Sequence, residues 1–251
     1  MKNVGIFDKF RKKKEEKNYI EEIKAKLGCD CWDIEEKDVN SVMTNYHQAL
    51  QEGKKEGYTS LIIIPSEMML EIVDTEADKE YSKDDRESII EKSKDIDVKA
   101  LLKRLLDEVM PMEEDDDDIT GEFSLEEQPD HFLSIEDVIN NKVIIAKIPT
   151  DKPWEVAAWV PMGGFNECPM PEEQVAVFRY WYEKYGAIPA LVTTDVWEFF
   201  VENPPRTPEE SELLAWEQFG FCGDIVLQGV GTVNSLAGTL NNSSVWYFWW
   251  D

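Results

Sequence analysis

Thiols and imidazoles are scarce in this chain. Four cysteines in 251 residues are too few for a disulfide scaffold, and two histidines leave a cysteine nucleophile short of bases. Positive charge is scarce as well: 26 Lys and Arg stand against 53 Asp and Glu, a net charge of −27. That field opposes a phosphate backbone, so nucleic acid is not an expected partner. It favours solubility and draws basic partners in by long-range attraction. Long apolar runs are missing too. Stretches such as Leu61–Pro65 and Trp246–Trp250 fall far short of the roughly 20 residues of a membrane span. Met1-Lys-Asn-Val leads into charge, so no signal peptide is expected, and position 2 lacks the Gly of a myristoylation pattern. A reduced cytoplasm is the expected location.

What is present fits a globular protein: 42% apolar residues and a length suited to one large or two small domains. Residues 1–28 read as a basic amphipathic helix, with Phe7, Phe10, Ile20, Ile23 and Leu27 at helical spacing and Gly28 as its stop. Its basic knot, residues 9–14, offers weak contact with an anionic membrane surface, or simply a solvated face offset by Glu15, Glu16, Glu21 and Glu22. Residues 29–112 read as a helical region with a buried strand at 59–64, and 74–97 as charged and weakly periodic. Cys29-Asp-Cys31 lacks the spacing and second pair of a zinc site. Residues 113–142 read as an acidic linker and a short helix. Glu113–Asp118 is six adjacent carboxylates without the interleaved Gly of a calcium loop, and Ser134-Ile-Glu-Asp137 is a capping-box candidate. No metal or cofactor is expected.

Residues 143–251 carry eight of the nine tryptophans. Strands are expected at Val143–Ile148, Val156–Val160, Ile188–Thr193, Val196–Val201 and Val245–Trp250, and helices after Pro171, after Thr207-Pro-Glu-Glu210 and around Val233–Leu240. The class is α/β (α+β mixed): a mixed sheet flanked by helices in a C-terminal domain, preceded by a mainly helical N-terminal region. The last strand alternates Trp246, Phe248 and Trp250 with Tyr247 and Trp249, so it places aromatics on both faces. Such a strand belongs inside a helix-covered sheet, unless its rings form an exposed partner patch. Three motifs, Trp159-Val-Pro-Met-Gly163-Gly-Phe-Asn166-Glu-Cys168-Pro, Tyr180-Trp-Tyr-Glu-Lys-Tyr-Gly-Ala187 and Trp246-Tyr-Phe-Trp-Trp-Asp251, resemble the bacterial domain-of-unknown-function 4253 family over about residues 143–251. The resemblance implies a fold and a bacterial setting, and brings no activity, cofactor or catalytic residue with it.

The polar loop Gly163–Cys168 follows a strand and precedes a helix, where backbone N–H groups meet ligands in α/β folds. Binding candidates are Gly163, Gly164, Asn166, Glu167, Cys168 and Asp224. Catalytic candidates are Cys168, its thiol lowered by a helix N-terminus, together with Glu167, Asp195 and Glu198, carboxylates that burial would tune for acid work. Set against these is a plain structural reading, with a tight Gly-Gly turn, a small buried cysteine and solvated carboxylates. The leading functional expectation is an acidic module binding a basic protein, immunity-type neutralisation among such roles. A hydrolase or transferase built on the Gly163–Cys168 loop is the alternative, and a membrane-surface adaptor through residues 9–14 a third.

Overall fold

The computed structural model describes residues 19–34, 38–74, 83–110, 119–138 and 143–251. Residues 9–14 and the acidic run 113–118 lie outside them. Six strands, Cys31–Ile34 (β1), Thr59–Ile63 (β2), Val143–Ile148 (β3), Ala187–Val192 (β4), Val196–Val201 (β5) and Val245–Trp249 (β6), form one mixed sheet in the order β1-β3-β2-β4-β5-β6. The expected mixed sheet with flanking helices is therefore present. β2 runs antiparallel to β3, with Leu61 opposite Ala146, and parallel to β4, with Ile62 opposite Leu191. Every residue of β2 is buried, as its continuous β-branched and apolar run requires of a strand covered on both faces. A boundary at residue 143 thus does not divide the sheet, because an interior strand comes from the stretch read as a helical region.

The helices are Val39–Glu56 (α1), Glu67–Val73 (α2), Lys83–Ser93 (α3), Val98–Val109 (α4), Ser134–Val138 (α5), Pro171–Tyr185 (α6), Pro208–Phe221 (α7) and Val233–Leu240 (α8). Residues 19–27 are also helical and bury Ile20, Ile23 and Leu27. Local chemistry sets the ends. Asp38, Ser66 and Thr207 accept a backbone N–H at the starts of α1, α2 and α7, and Gly57 and Gly186 take left-handed φ values at the ends of α1 and α6.

One face of the sheet packs on α6, α7 and α8, with Leu61, Ile144, Trp197, Phe199, Trp246 and Phe248 pointing into that core. Trp181 of α6 stacks on Phe248 at 5.3 Å, and Phe221 of α7 meets both rings edge-on, geometries that suit aromatic quadrupoles. The other face carries Ile62, Ile145, Ile188 and Val245 against α1 and the Phe132–Ile135 turn.

Three expectations change. The segment expected as a strand at Val156–Val160 opens as a 3-10 turn, Pro153–Ala158. A short, continuously buried apolar run cannot be told from helix by periodicity, and Pro153 favours a helical start. α3 occupies the stretch read as weakly periodic, and a π-helical turn, Ile225–Val230, precedes α8. The aromatic strand β6 is an outer strand, not an interior one: Trp246 and Phe248 are buried, whereas Tyr247 and Trp249 are half-buried.

Residues 140–251 expressed alone lack β2, which leaves the backbone groups of β3 and β4 without their ladder. The fragment is expected to give weak near-UV circular dichroism and no cooperative thermal transition, in contrast to the full chain. A cooperative melt of the fragment would show that β3 and β4 re-pair without β2.

Candidate functional site

The Gly163–Cys168 loop is built around a buried amide. Gln174 of α6 is fully buried; its Nε2 donates to the carbonyls of Met162 and Pro169 and lies 3.6 Å from Cys168 Sγ, while its Oε1 accepts the Trp197 indole N–H at 2.9 Å. A Cβ on Gly163 would sit 2.3 Å from the Pro169 carbonyl oxygen, so that position must be Gly. Asn166 and Glu167 are exposed with φ of 43° and 58°, and Cys168 N–H closes the turn onto the Phe165 carbonyl at 2.7 Å. Cys168 is buried, and burial, with Cys222 adding to it, pushes its thiol up. That direction is opposite to the one a nucleophile needs. Cys222 is pushed up to about 12 by burial and donates to the Trp249 carbonyl at 3.0 Å.

Of the carboxylates expected as site residues, Glu167 belongs to this loop, whereas Asp195, Glu198 and Asp224 are fastened elsewhere. Successive strand residues face opposite ways, so Trp197 meets Gln174 while Glu198 points through to the other side of the sheet. Asp195 accepts the hydroxyls of Thr193 and Thr194, and its carbonyl takes the Trp250 N–H. Asp224 Oδ2 accepts the Asp251 N–H and Oδ1 the Gln228 amide. Both aspartates therefore fasten the last residues of the chain.

Glu198 has a different task. It is fully buried, and its two oxygens accept the N–H groups of Leu133 (2.6 Å) and Ser134 (2.8 Å). The N-terminus of α5, which Ser134 was expected to cap itself, is thus capped from 64 residues away in sequence. Burial raises the Glu198 carboxyl to about 6 against the lowering effect of these bonds and of nearby His131. Glu198 holds one end of a strap, residues 121–136. The other end is tied to α8, where Asn234 donates to the Gly121 carbonyl (2.9 Å) and Gln128 to the Gly238 carbonyl (3.0 Å).

A cavity of about 620 Å³ lies between this strap, α7, the π-helical turn, α8 and β6. Gln218, 1% exposed, lines it, and so does Trp246. Neither amide atom of Gln218 has a hydrogen-bond partner among the described residues, nor does the Trp246 indole N–H. A buried polar group in that state costs about 1–3 kcal/mol, so each such case calls for an explanation. Exposed Glu127, Asp130 and Glu136 make the strap side of the wall acidic, and exposed Leu133 and Val230 make part of it apolar. The Asp130 carboxylate (2.6 Å), helped by Glu136 (3.1 Å), holds His131 above its ordinary range. None of the cavity's polar residues was among the sequence candidates. The available signal was Gln218 itself, a glutamine in the apolar helical stripe of Leu214, Ala215 and Phe219. Among the described residues no group of three or more His, Cys, Asp or Glu is placed to hold a metal ion.

Residues 144–251 match the model of the family described as Domain of unknown function (DUF4253), in line with the resemblance carried by the three aromatic motifs. No curated protein and no solved structure matches the chain. The matched span takes in the Gly163–Cys168 loop, Glu198, Gln218 and Trp246, whereas β2 and the strap lie before it.

Titration of Glu198 should be visible in stability. The folded carboxyl binds its proton at about 6, an unperturbed glutamate at 4.5. Between those values the folded chain holds the proton and the unfolded chain does not, so stability falls as pH rises through that window, by about 2 kcal/mol. Glu198→Gln is expected to abolish that slope in denaturant unfolding and to speed hydrogen exchange at the Leu133 and Ser134 amides, since its amide donor faces one of them. An unchanged slope would assign the titration to other groups.

Proposed function

We propose that the chain, built on its DUF4253 domain, is a binding protein whose ligand lodges in the cavity between β6 and the strap. The observation that carries this reading is Gln218: a fully enclosed primary amide with both ends unpartnered, in the wall of a cavity of about 620 Å³. That volume falls within the roughly 300–1,000 Å³ of small-molecule sites. A primary amide offers one acceptor and two donors, and it matches a group that presents a donor and an acceptor side by side, as an amide, a lactam or a nucleobase edge does. The Trp246 N–H adds a donor, and Leu133, Val230 and Trp249 supply apolar wall for a flat body. The acidic rim and the net charge of −27 favour a neutral or cationic ligand over an anion.

A second reading shares this surface. Exposed Leu133, Leu227 and Val230 beside Glu127, Asp130 and Glu136 combine an apolar centre with an acidic rim, which suits a basic protein partner. Immunity-type neutralisation is one such role. A bacterial cytoplasm is the setting that this reading assumes. No helix among the described residues is long and apolar enough to cross a membrane, and the adaptor role expected of residues 9–14 falls outside those residues. Support for the enzyme reading weakens at Cys168, whose thiol is enclosed and protonated.

Benzamide, benzamidine and benzoate are near-isosteric probes of the cavity. Benzamide and benzamidine are expected to bind the full chain in ligand-observed NMR, and benzoate much less, because it brings only acceptors and a negative charge to an acidic rim. Gln218→Leu should abolish benzamide binding while keeping or raising the melting temperature, since an unpartnered buried amide is replaced by an apolar group of similar size. Binding that survives in Gln218→Leu, or a preference for benzoate, would overturn the assignment.

A further inference from the structure

At the opposite edge of the sheet from the cavity, the helical residues 19–27 turn into β1 through Cys29-Asp30-Cys31. The two thiols are free, both are partly exposed, and their sulfurs lie 3.9 Å apart. Cys31 Sγ also contacts the Cys29 carbonyl at 3.4 Å, and the Lys147 N–H holds the Asp30 carbonyl at 2.8 Å, so the bend that brings the sulfurs together is pinned on both sides. Arg86 of α3 stacks its guanidinium 3.6 Å from the centre of the Trp159 ring, and its charge acts on Cys29. Cys168 and Cys222, by contrast, are enclosed in the core.

We propose that Cys29 and Cys31 form a dithiol that exchanges reversibly with low-molecular-weight disulfides of the glutathione type, with Cys29 the attacking and Cys31 the resolving residue. The roles follow from the surroundings. The hydrogen bond with Cys31, and then the Arg86 charge, hold the Cys29 thiol low against the effect of burial. Cys31, the other partner in that contact, is pushed up. The thiolate is the nucleophile in such exchange. Cys29 thiolate attacks one sulfur of the disulfide RSSR, whose S–S bond breaks and releases RS⁻. Cys31 then gives its proton to solvent and attacks the Cys29 sulfur, expelling a second RS⁻. Two protein thiols become one disulfide, RSSR accepts the two electrons, and the two RS⁻ take up the two protons as RSH. A sulfur separation of 3.9 Å must close to about 2.05 Å, by rotation of the two side chains on the pinned bend.

The test uses the full chain, reduced and then incubated in mixtures of reduced and oxidised glutathione, acid-quenched, digested and weighed by mass spectrometry. The peptide holding Cys29 and Cys31 is expected to lose two hydrogens in the oxidising mixture and regain them in the reducing one, while Cys168 and Cys222 stay reduced. Cys31→Ser is expected to accumulate a glutathione adduct on Cys29, and Cys29→Ser to leave Cys31 unmodified. Both thiols of the wild-type chain remaining reduced in oxidised glutathione would overturn the proposal. Equal adduct formation on the two single variants would overturn the assigned roles.

Discussion

A single strand supplied from well upstream sets the terms for the rest of the molecule. β3 and β4 are both inside the matched domain, yet each spends one edge on β2, whose residues precede them by about eighty positions or more. Backbone N–H and C=O groups buried without partners are costly, so the sheet exists only once Thr59–Ile63 is seated. Contacts of such long sequence separation carry a closure entropy that local contacts do not. The long aromatic face under α6 and α7 offsets it. Trp181, Phe221 and Phe248 meet in stacked and edge-on pairs, each worth about 0.5–1.5 kcal/mol beyond burial.

Two buried glutamines are placed alike and partnered differently. Gln174 and Gln218 each sit on the inward face of a sheet-covering helix, and both are almost wholly enclosed. Gln174 is satisfied on both ends by Met162, Pro169 and Trp197, and it fixes the glycine loop in place. Gln218 stands in the cavity wall and its amide has no partner among the described residues. A core that needed only packing would hold Leu or Met there, because an apolar side chain of that size carries no desolvation penalty. The Gly163–Cys168 loop had looked like a ligand site because glycine, asparagine and cysteine were clustered before a helix. In the structure the turn requires Gly163, and Gln174 holds the Met162 and Pro169 carbonyls beside Cys168.

How far the sequence could be read differs by element for physical reasons. The helix starts marked by Pro171 and by Thr207-Pro-Glu-Glu210 were legible, since capping is local chemistry. So were the strands at 59–63, 143–148 and 196–201, whose buried apolar runs allow few alternatives. The turn at Pro153–Ala158 was not legible, because five of its six residues are buried and the run has no period to betray it. Glu198 illustrates the harder case. Its position in β5 was visible, but its partners, Leu133 and Ser134, come from a segment that no local pattern ties to it. The cavity was out of reach for the same reason, being assembled from a strap, two helices, a π-helical turn and the outer strand.

The strap explains why a carboxylate is kept under β6's neighbour at all. A buried ionised group is a poor source of stability, and burial raises the Glu198 carboxyl above the ordinary glutamate value. What it gives instead is position: two charge-assisted bonds hold Leu133 and Ser134 at one fixed place, and Leu133 and Glu136 then stand in the cavity wall. The other end of the strap rests on neutral amide–carbonyl bonds from Asn234 and Gln128, which are weaker individually. The two anchors therefore differ in kind. Segments held by few bonds open at lower free energy than the core. Leu133 and Glu136 of the strap line the cavity in whose wall Gln218 stands, so the two bonds by which Glu198 fixes Leu133 and Ser134 also fix that part of the wall.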